Sequence, residues 1–243
     1  MALDISIALS LFLVGFLYSS VGHGGASGYI AVLSLFAIPV TTYKPLILVL
    51  NIIVAGMAFY QFWRSGYFKW KLCRTFLITS IPCAFIGSKF PIHGNVYNIL
   101  LGLALVLPII KLLGITPDVK EEKKKVVVVP ALIIGAVIGF LSGMLNIGGG
   151  IFLSPVLILL SWANAKEAAA ASALFIVLNS LGGLLGNSTE ITITSSSALW
   201  FLMAAAGGFT GSYWGSWRFP QITVRYLLTA VLAIASCKLI FFM

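Results

Sequence analysis

Residues 15–26 read Gly-Phe-Leu-Tyr-Ser-Ser-Val-Gly-His-Gly-Gly-Ala, and residues 139–150 read Gly-Phe-Leu-Ser-Gly-Met-Leu-Asn-Ile-Gly-Gly-Gly. The two stretches share Gly-Phe-Leu and a later Gly-Gly pair at a constant spacing of 124 residues. Each places a glycine cluster inside an apolar run, where glycine disfavours a helix and backbone amides lose their partners. A bilayer tolerates such a break only where it is buried in protein or lines a polar cavity. The chain is therefore predicted to be a duplicated unit with one helix break in each half.

The composition is that of a membrane protein. Of the 243 residues, 60% are hydrophobic and 9% are charged, which is far from the composition of an ordinary soluble domain. A net charge of +9 would suggest nucleic acid as a partner of a soluble protein. Here the basic residues lie mainly between apolar segments, where they indicate orientation in the membrane, and no nucleic acid is expected.

The expected fold is an all-α polytopic membrane protein made of two inverted repeats of about five hydrophobic segments each. We expect the first transmembrane repeat at 1–115, a charged cytoplasmic linker at 116–126 and the second repeat at 127–243. An odd number of segments in each half inverts the second half relative to the first. The predicted segments are 5–21, 26–40, 45–63, 72–90, 95–115, 127–146, 150–162, 167–186, 196–216 and 221–242.

The second segment of each half is too short for a full crossing. At 1.5 Å per residue, about 13 to 15 helical residues give about 20 Å, against about 30 Å of hydrocarbon. The first two segments of each half could form a re-entrant hairpin with its glycine tip at depth, or both could cross. Either arrangement leaves the orientation of the following helices unchanged.

The basic residues favour a topology with both termini outside. With the N-terminus outside, twelve of the fifteen Lys and Arg residues lie at cytoplasmic connections, as the positive-inside rule requires. Only Lys44, Lys89 and Lys238 remain outside. A model with eight crossings and both termini inside divides the same residues ten to five, which is a poorer fit.

The glycine breaks are the candidate anion site. Consecutive amides at a glycine bend, aimed from the starts of helices near Ala26 and Ile151, form a donor array that suits an oxyanion. The competing interpretation is that the glycines only allow close helix packing. The candidate residues at the two breaks are Gly22, His23, Gly24 and Gly25, and Asn146, Gly148, Gly149 and Gly150.

Two asparagines within apolar helices complete the candidate site. Asn51 and Asn179 follow a leucine in corresponding segments, and a buried amide needs a hydrogen-bond partner. They could donate to the substrate or link helices to one another, and the sequence leaves both roles open. Ser27, Ser88 and Ser212 are weaker candidates, because a serine can bond to its own helix backbone.

His23 is the residue of the first glycine loop that titrates near neutral pH. Its counterpart is Ile147, so any role in contacting the anion or a coupling proton belongs to one half only. A structural hydrogen bond is the alternative. The six acidic residues lie near segment ends or in the linker, so the sequence predicts no enzyme, and no cofactor or metal site is expected.

These motifs resemble the TauE/SafE family of sulfite exporters and anion permeases. The resemblance covers essentially the whole chain and includes the run from Gly143 to Pro155 and the Ala-rich stretch 166–172 that leads to Asn179. It implies transport of sulfite or a related sulfur-containing anion across the bacterial cytoplasmic membrane, coupled to an ion gradient. One departure is Ala31, which stands where the second half has Pro155.

Paired breaks in inverted halves favour a secondary carrier for a small anion, with an anion channel as the alternative. The expected partners are the anion, a proton or another coupling ion, and the lipid bilayer. A homodimer is an open alternative to a monomer.

Overall fold

The structure is a computed structural model, and it describes residues 2–38, 40–90, 109, 124–145, 148–186 and 195–241. The predicted segment 95–115, apart from residue 109, most of the predicted linker 116–126, and the candidate Asn146 lie outside the described residues.

The described residues form α-helices that follow the predicted apolar segments, in agreement with the all-α fold. A π-helical turn, Trp214–Arg218, directly follows the helix that ends at Tyr213. The helices are α1 (Ala2–Ser20), α2 (Ala26–Leu35), α3 (Val40–Arg64), α4 (Trp70–Ser88), α5 (Val128–Leu145), α6 (Gly150–Leu159), α7 (Ala165–Gly186), α8 (Ser195–Tyr213) and α9 (Gln221–Phe241).

Four described helices are long and apolar enough to cross a membrane, judged by length and composition. They are Leu3–Ser20, Pro45–Arg64, Val128–Leu145 and Ala165–Gly186. Shorter apolar helices include Ala26–Leu35 and Gly150–Leu159, which are the predicted short segments. The chain is a polytopic membrane protein.

The duplication extends to the ends of the two short helices. Helix α2 ends where Ala37 has a φ of 54°, and α6 ends where Ser161 has a φ of 56°. The amide of Ile38 donates to the carbonyl of Leu33 at 2.9 Å, and the amide of Trp162, 124 residues on, makes the equivalent bond at 2.9 Å. Both helices therefore end in the same left-handed C-cap, which satisfies carbonyls of the last turn.

The two halves are inverted with respect to each other, as predicted. Helices α3 and α7 are equivalent in the repeat, and they pack side by side. Asn51 in the middle of α3 bonds to Ser180 late in α7, whereas Phe62 near the end of α3 clusters with Ala169 and Ala170 early in α7. The two equivalent helices thus run antiparallel.

Helix α1 of the first half packs tightly along α8 of the second half. A Cβ added at Gly207 or Gly211 of α8, or at Gly215 in the π-helical turn that follows it, would meet a backbone carbonyl of α1, in the same order along both helices. The two helices therefore run parallel with their backbones in contact. Small residues spaced by four allow this approach in membrane proteins.

The repeat-equivalent pair consists of α4, the fourth helix of the first half, and α5, the first helix of the second half. A Cβ at Gly135, Gly139 or Gly143 of α5 would meet the backbone of α4, again in parallel order. The first long helix of each half thus packs against the fourth helix of the other half. These two glycine-packed pairs join the halves to each other.

We expect Gly211→Leu to destabilise the protein, because the added side chain meets the carbonyl of Phe16 and the helices cannot close. The expected loss is about 3 kcal/mol in the free energy of unfolding. Thermal unfolding of the detergent-purified protein, followed by size-exclusion chromatography, measures it. The matched control is Gly56→Leu, because no atom lies within 4 Å of a Cβ at Gly56. Equal melting temperatures for the two variants would contradict the packing described here.

Basic residues gather at one end of the bundle, here called the basic end. The Lys166 ammonium at the start of α7 donates to the carbonyl of Ser216 at 3.0 Å and lies over the ring of Tyr67 at 4.8 Å. Lys69 forms an ion pair with Glu167. The start of α7, the connection between α3 and α4, and the turn after α8 therefore meet at this end.

Candidate functional site

The two short helices start in the middle of the bundle from opposite directions. Residues of α2 pack in one core cluster with Ile47 and Leu50, which belong to the first half of α3. Helix α6 instead packs against the first half of α7, where Ser154 donates to Ser172 at 2.7 Å. Because α3 and α7 are antiparallel, α2 and α6 occupy opposite halves of the bundle with their N-termini toward its centre.

Glycine makes the bend before each short helix possible. Gly25 and Gly149, the residues just before α2 and α6, have φ values of 93° and 72°. Gly22 and Gly148 also have positive φ, at 78° and 76°. Residues with a Cβ rarely adopt this conformation, so the sequence needs glycine at these positions. Helix α6 starts at Gly150, where the predicted segment 150–162 begins.

His23 connects the first break to the second. Its Nε2 lies 3.2 Å from the carbonyl oxygen of Gly150 and 3.1 Å from Oγ of Ser154. Because a carbonyl only accepts, Nε2 carries the proton and donates to it. His23 is 2% exposed, and its Nδ1 has no hydrogen-bond partner. The imidazole thus forms a bond between the halves and leaves one nitrogen free.

Asn51 holds the start of α2. Its Oδ1 accepts a hydrogen bond from the amide of Ala26, the first residue of α2, at 3.1 Å. Its Nδ2 donates to Oγ of Ser180 in α7 at 3.0 Å. One side chain thereby caps a helix of the first half and binds a helix of the second. Of the two roles left open by the sequence, the structure shows the link between helices, and contact with a substrate stays a prediction.

Both breaks contact Asn51 directly. A Cβ added at Gly24 would lie 2.6 Å from the backbone oxygen of Asn51. A Cβ added at Gly148 would lie 2.8 Å from Nδ2 of Asn51 and 2.8 Å from Oγ of Ser180. Gly24, Gly148 and Asn51 therefore form one cluster near the middle of α3, whereas a Cβ on Gly22 would meet the backbone of Ala169 in α7.

Asn179 lies in the same interior but bonds differently. Its Nδ2 donates to the carbonyl of Phe175 at 2.8 Å and to Oγ of Ser80 in α4 at 3.2 Å. Its Oδ1 has no partner although the residue is fully buried. The structure brings Asn179 near the second break through Phe175, whose ring would contact a Cβ on Gly149 at 3.1 Å.

A small cavity lies between the two breaks. It measures about 10 Å³ and is lined mainly by His23, Gly24, Gly25 and Asn51, with Ile151 and Ile176 on the side of the second half. About 10 to 15 Å³ accommodates one water molecule. An oxyanion with three or four heavy atoms therefore needs the helices around the cavity to move apart before it can bind.

Several serines contribute to this interior, and the sequence did not single them out. Ser154, Ser172 and Ser180 accept or donate bonds within the cluster, and Ser142 has a buried Oγ without a partner. Their sequence context is that of any serine in a membrane helix. Ser88 and Ser212 bond to their own helices, as expected, and Ser27 donates to the hydroxyl of Tyr18.

The cluster has the chemistry of a neutral binding site. It offers backbone amides at two helix N-termini, two amide side chains, hydroxyls and one imidazole. No group of three His, Cys, Asp or Glu residues that could hold a metal ion occurs in the part of the chain that the structure describes. Such a site can bind an anion without a fixed positive charge, through amides and helix dipoles.

Comparisons with known proteins cover nearly the whole chain. A family model described as "Sulfite exporter TauE/SafE" matches residues 7–239. The probable membrane transporter protein y4hK of Sinorhizobium fredii is 33% identical over 97% of this chain and 98% of its own length. The probable membrane transporter protein YdhB of Bacillus subtilis is 27% identical over 97% of this chain and 99% of its own. No solved structure matches the chain significantly.

Proposed function

Because this chain belongs to the TauE/SafE sulfite exporter family, and is thus a membrane transporter, we propose that it is a secondary carrier for a small anion, sulfite or a related sulfur-containing anion. The proposed site lies between the two glycine breaks. The family and the names of the relatives indicate transport and not an enzymatic reaction. Both termini are proposed to lie outside the cytoplasmic membrane, with the basic end facing the cytoplasm.

The observation that carries this proposal is the meeting of two half-length helices at Asn51. Helices α2 and α6 come from inverted halves, and both start at the bundle centre beside this side chain. The positive ends of both helix dipoles then point to one place, where an anion is stabilised. Broken helices in corresponding positions of inverted repeats are typical of carrier sites at the midplane.

His23 supports a proton as the coupling ion. Its Nε2 is engaged with the second half, its Nδ1 has no hydrogen-bond partner, and the residue lines the cavity. Protonation of Nδ1 converts it from an acceptor into a charged donor beside the bound anion. Uptake of one proton with the anion would cancel one negative charge, so that a monovalent anion would cross without net charge movement.

Flux into liposomes tests the proposal and separates carrier from channel. We expect the purified protein to exchange labelled sulfite for internal sulfite with saturable kinetics and counterflow, with sulfate, thiosulfate and short sulfonates as competitors. High conductance without exchange would instead indicate an anion channel through the same glycine-lined path. A pH gradient should drive net flux in the wild type and fail to do so in His23→Asn. The control for that step is His93→Asn, which changes the other histidine of the chain.

A further inference from the structure

The two asparagines of the inverted repeat occupy equivalent helices but make different bonds. Asn51 Oδ1 caps the first amide of α2, whereas Asn179 Oδ1 has no partner. The orientation of the Asn179 amide is fixed, because its Nδ2 faces the carbonyl of Phe175, which only accepts. The free atom is therefore the oxygen. A buried acceptor without a donor is rare and requires an explanation.

The equivalent donor for Asn179 lies close by. Gly150, the first residue of α6, corresponds to Ala26 at the repeat spacing. A Cβ at Gly150 would contact the side chain of Ile176, three residues before Asn179 and so on the same side of α7. Both short helices also follow a left-handed glycine, so their first turns have matching geometry.

We propose that the two asparagines exchange these roles during the transport cycle. In the complementary state, Asn179 Oδ1 accepts from the amide of Gly150, and Asn51 Nδ2 turns back to the carbonyl of Ile47, the equivalent of Phe175. Asn51 and Asn179 are then positioning residues that determine which short helix is held at its start and which is released. The proposal rests on the proposed carrier function.

Inversion of the halves makes this exchange useful to a carrier. Since α2 and α6 occupy opposite halves of the bundle, holding one start and releasing the other favours opening toward one face of the membrane. Exchanging the conformations of inverted copies then converts access from one face into access from the other. The state described here is the one in which α2 is held by Asn51.

Hydrogen–deuterium exchange of the purified protein, without any anion, tests the proposal. Asn51→Ala should speed exchange at the start of α2 and slow it at the start of α6. Asn179→Ala should do the reverse. Each effect should be about fivefold, the population shift expected from the loss of one helix cap. A purely structural role speeds exchange near the substituted residue and gives no protection at the other helix.

A milder variant keeps the test decisive if the alanine variants do not fold. Ser80→Ala removes a side-chain acceptor that holds the Asn179 amide, and it should slow exchange at the start of α6. Ser88→Ala is the matched control in the same helix, because Ser88 bonds only to its own helix at Phe85. If none of these variants slows exchange at the start of the other short helix, the proposal is overturned. Absence of anion flux in the wild type would overturn the carrier function. The hydrogen–deuterium exchange result would still test the exchange of roles between the two asparagines, because it is measured without anion.

Discussion

Replacing Gly24 or Gly149 with valine is expected to abolish anion transport while the protein still inserts and folds. A Cβ at Gly24 would lie 2.6 Å from the backbone oxygen of Asn51, a contact that no side-chain rotation relieves. At Gly149 the φ of 72° itself excludes a β-branched residue, and Ser142 and Phe175 fill the space. Either change displaces a helix start by about 1 Å, which can reduce a rate by about 100-fold.

The measurement is sulfite exchange in proteoliposomes, normalised to the amount of folded carrier recovered by size-exclusion chromatography. Gly56→Val is the matched control, because it places the same side chain in α3 where a Cβ meets no atom within 4 Å. We expect this variant to transport at the wild-type rate. Undiminished transport by both Gly24→Val and Gly149→Val would remove the glycine breaks from the transport path.

The second large effect is expected for Asn51→Leu. Leucine fills a similar volume but leaves the amide of Ala26 and the hydroxyl of Ser180 without their partner. A buried group left unpaired costs about 1–3 kcal/mol, so the melting temperature should fall and transport should be lost. Asn179→Leu should cost less stability, because the loss of the Nδ2 bonds to Phe175 and Ser80 is offset by removal of a buried Oδ1 that has no partner.

Comparison of the two leucine variants makes this prediction specific. Thermal unfolding measures stability, and proteoliposome exchange measures transport, on the same preparations. Equal losses of stability in both variants would mean that the cap on α2 contributes nothing beyond ordinary helix packing. A larger loss of stability in Asn179→Leu than in Asn51→Leu would contradict the unequal bonding of the two asparagines.

The helix breaks and the inverted halves could be predicted from the sequence because their signals are local. Glycine clusters mark the bends, and the same residues recur 124 positions later. The predicted start near Ala26 is confirmed, and the second start lies at Gly150. Short apolar runs also predicted that the second helix of each half falls short of a full span.

The partners within the site could not be predicted, because they join residues far apart in the chain. His23 reaches Gly150 across 127 positions, and Asn51 reaches Ser180 across 129. The sequence around Asn51 and Asn179 also gave no indication that the two side chains form different hydrogen bonds. A duplicated sequence is symmetric, but any single conformation of inverted halves favours one copy over the other.

The crossed pairing of α1 with α8 and of α4 with α5 has an evolutionary consequence. One copy of the repeat, inserted alone, would expose its glycine faces to lipid, since their partners belong to the other copy. It could bury them only against a second copy inserted upside down. If the chain arose from a single unit, that unit would have formed this interface only by inserting in both orientations, and the present chain holds one orientation for each copy.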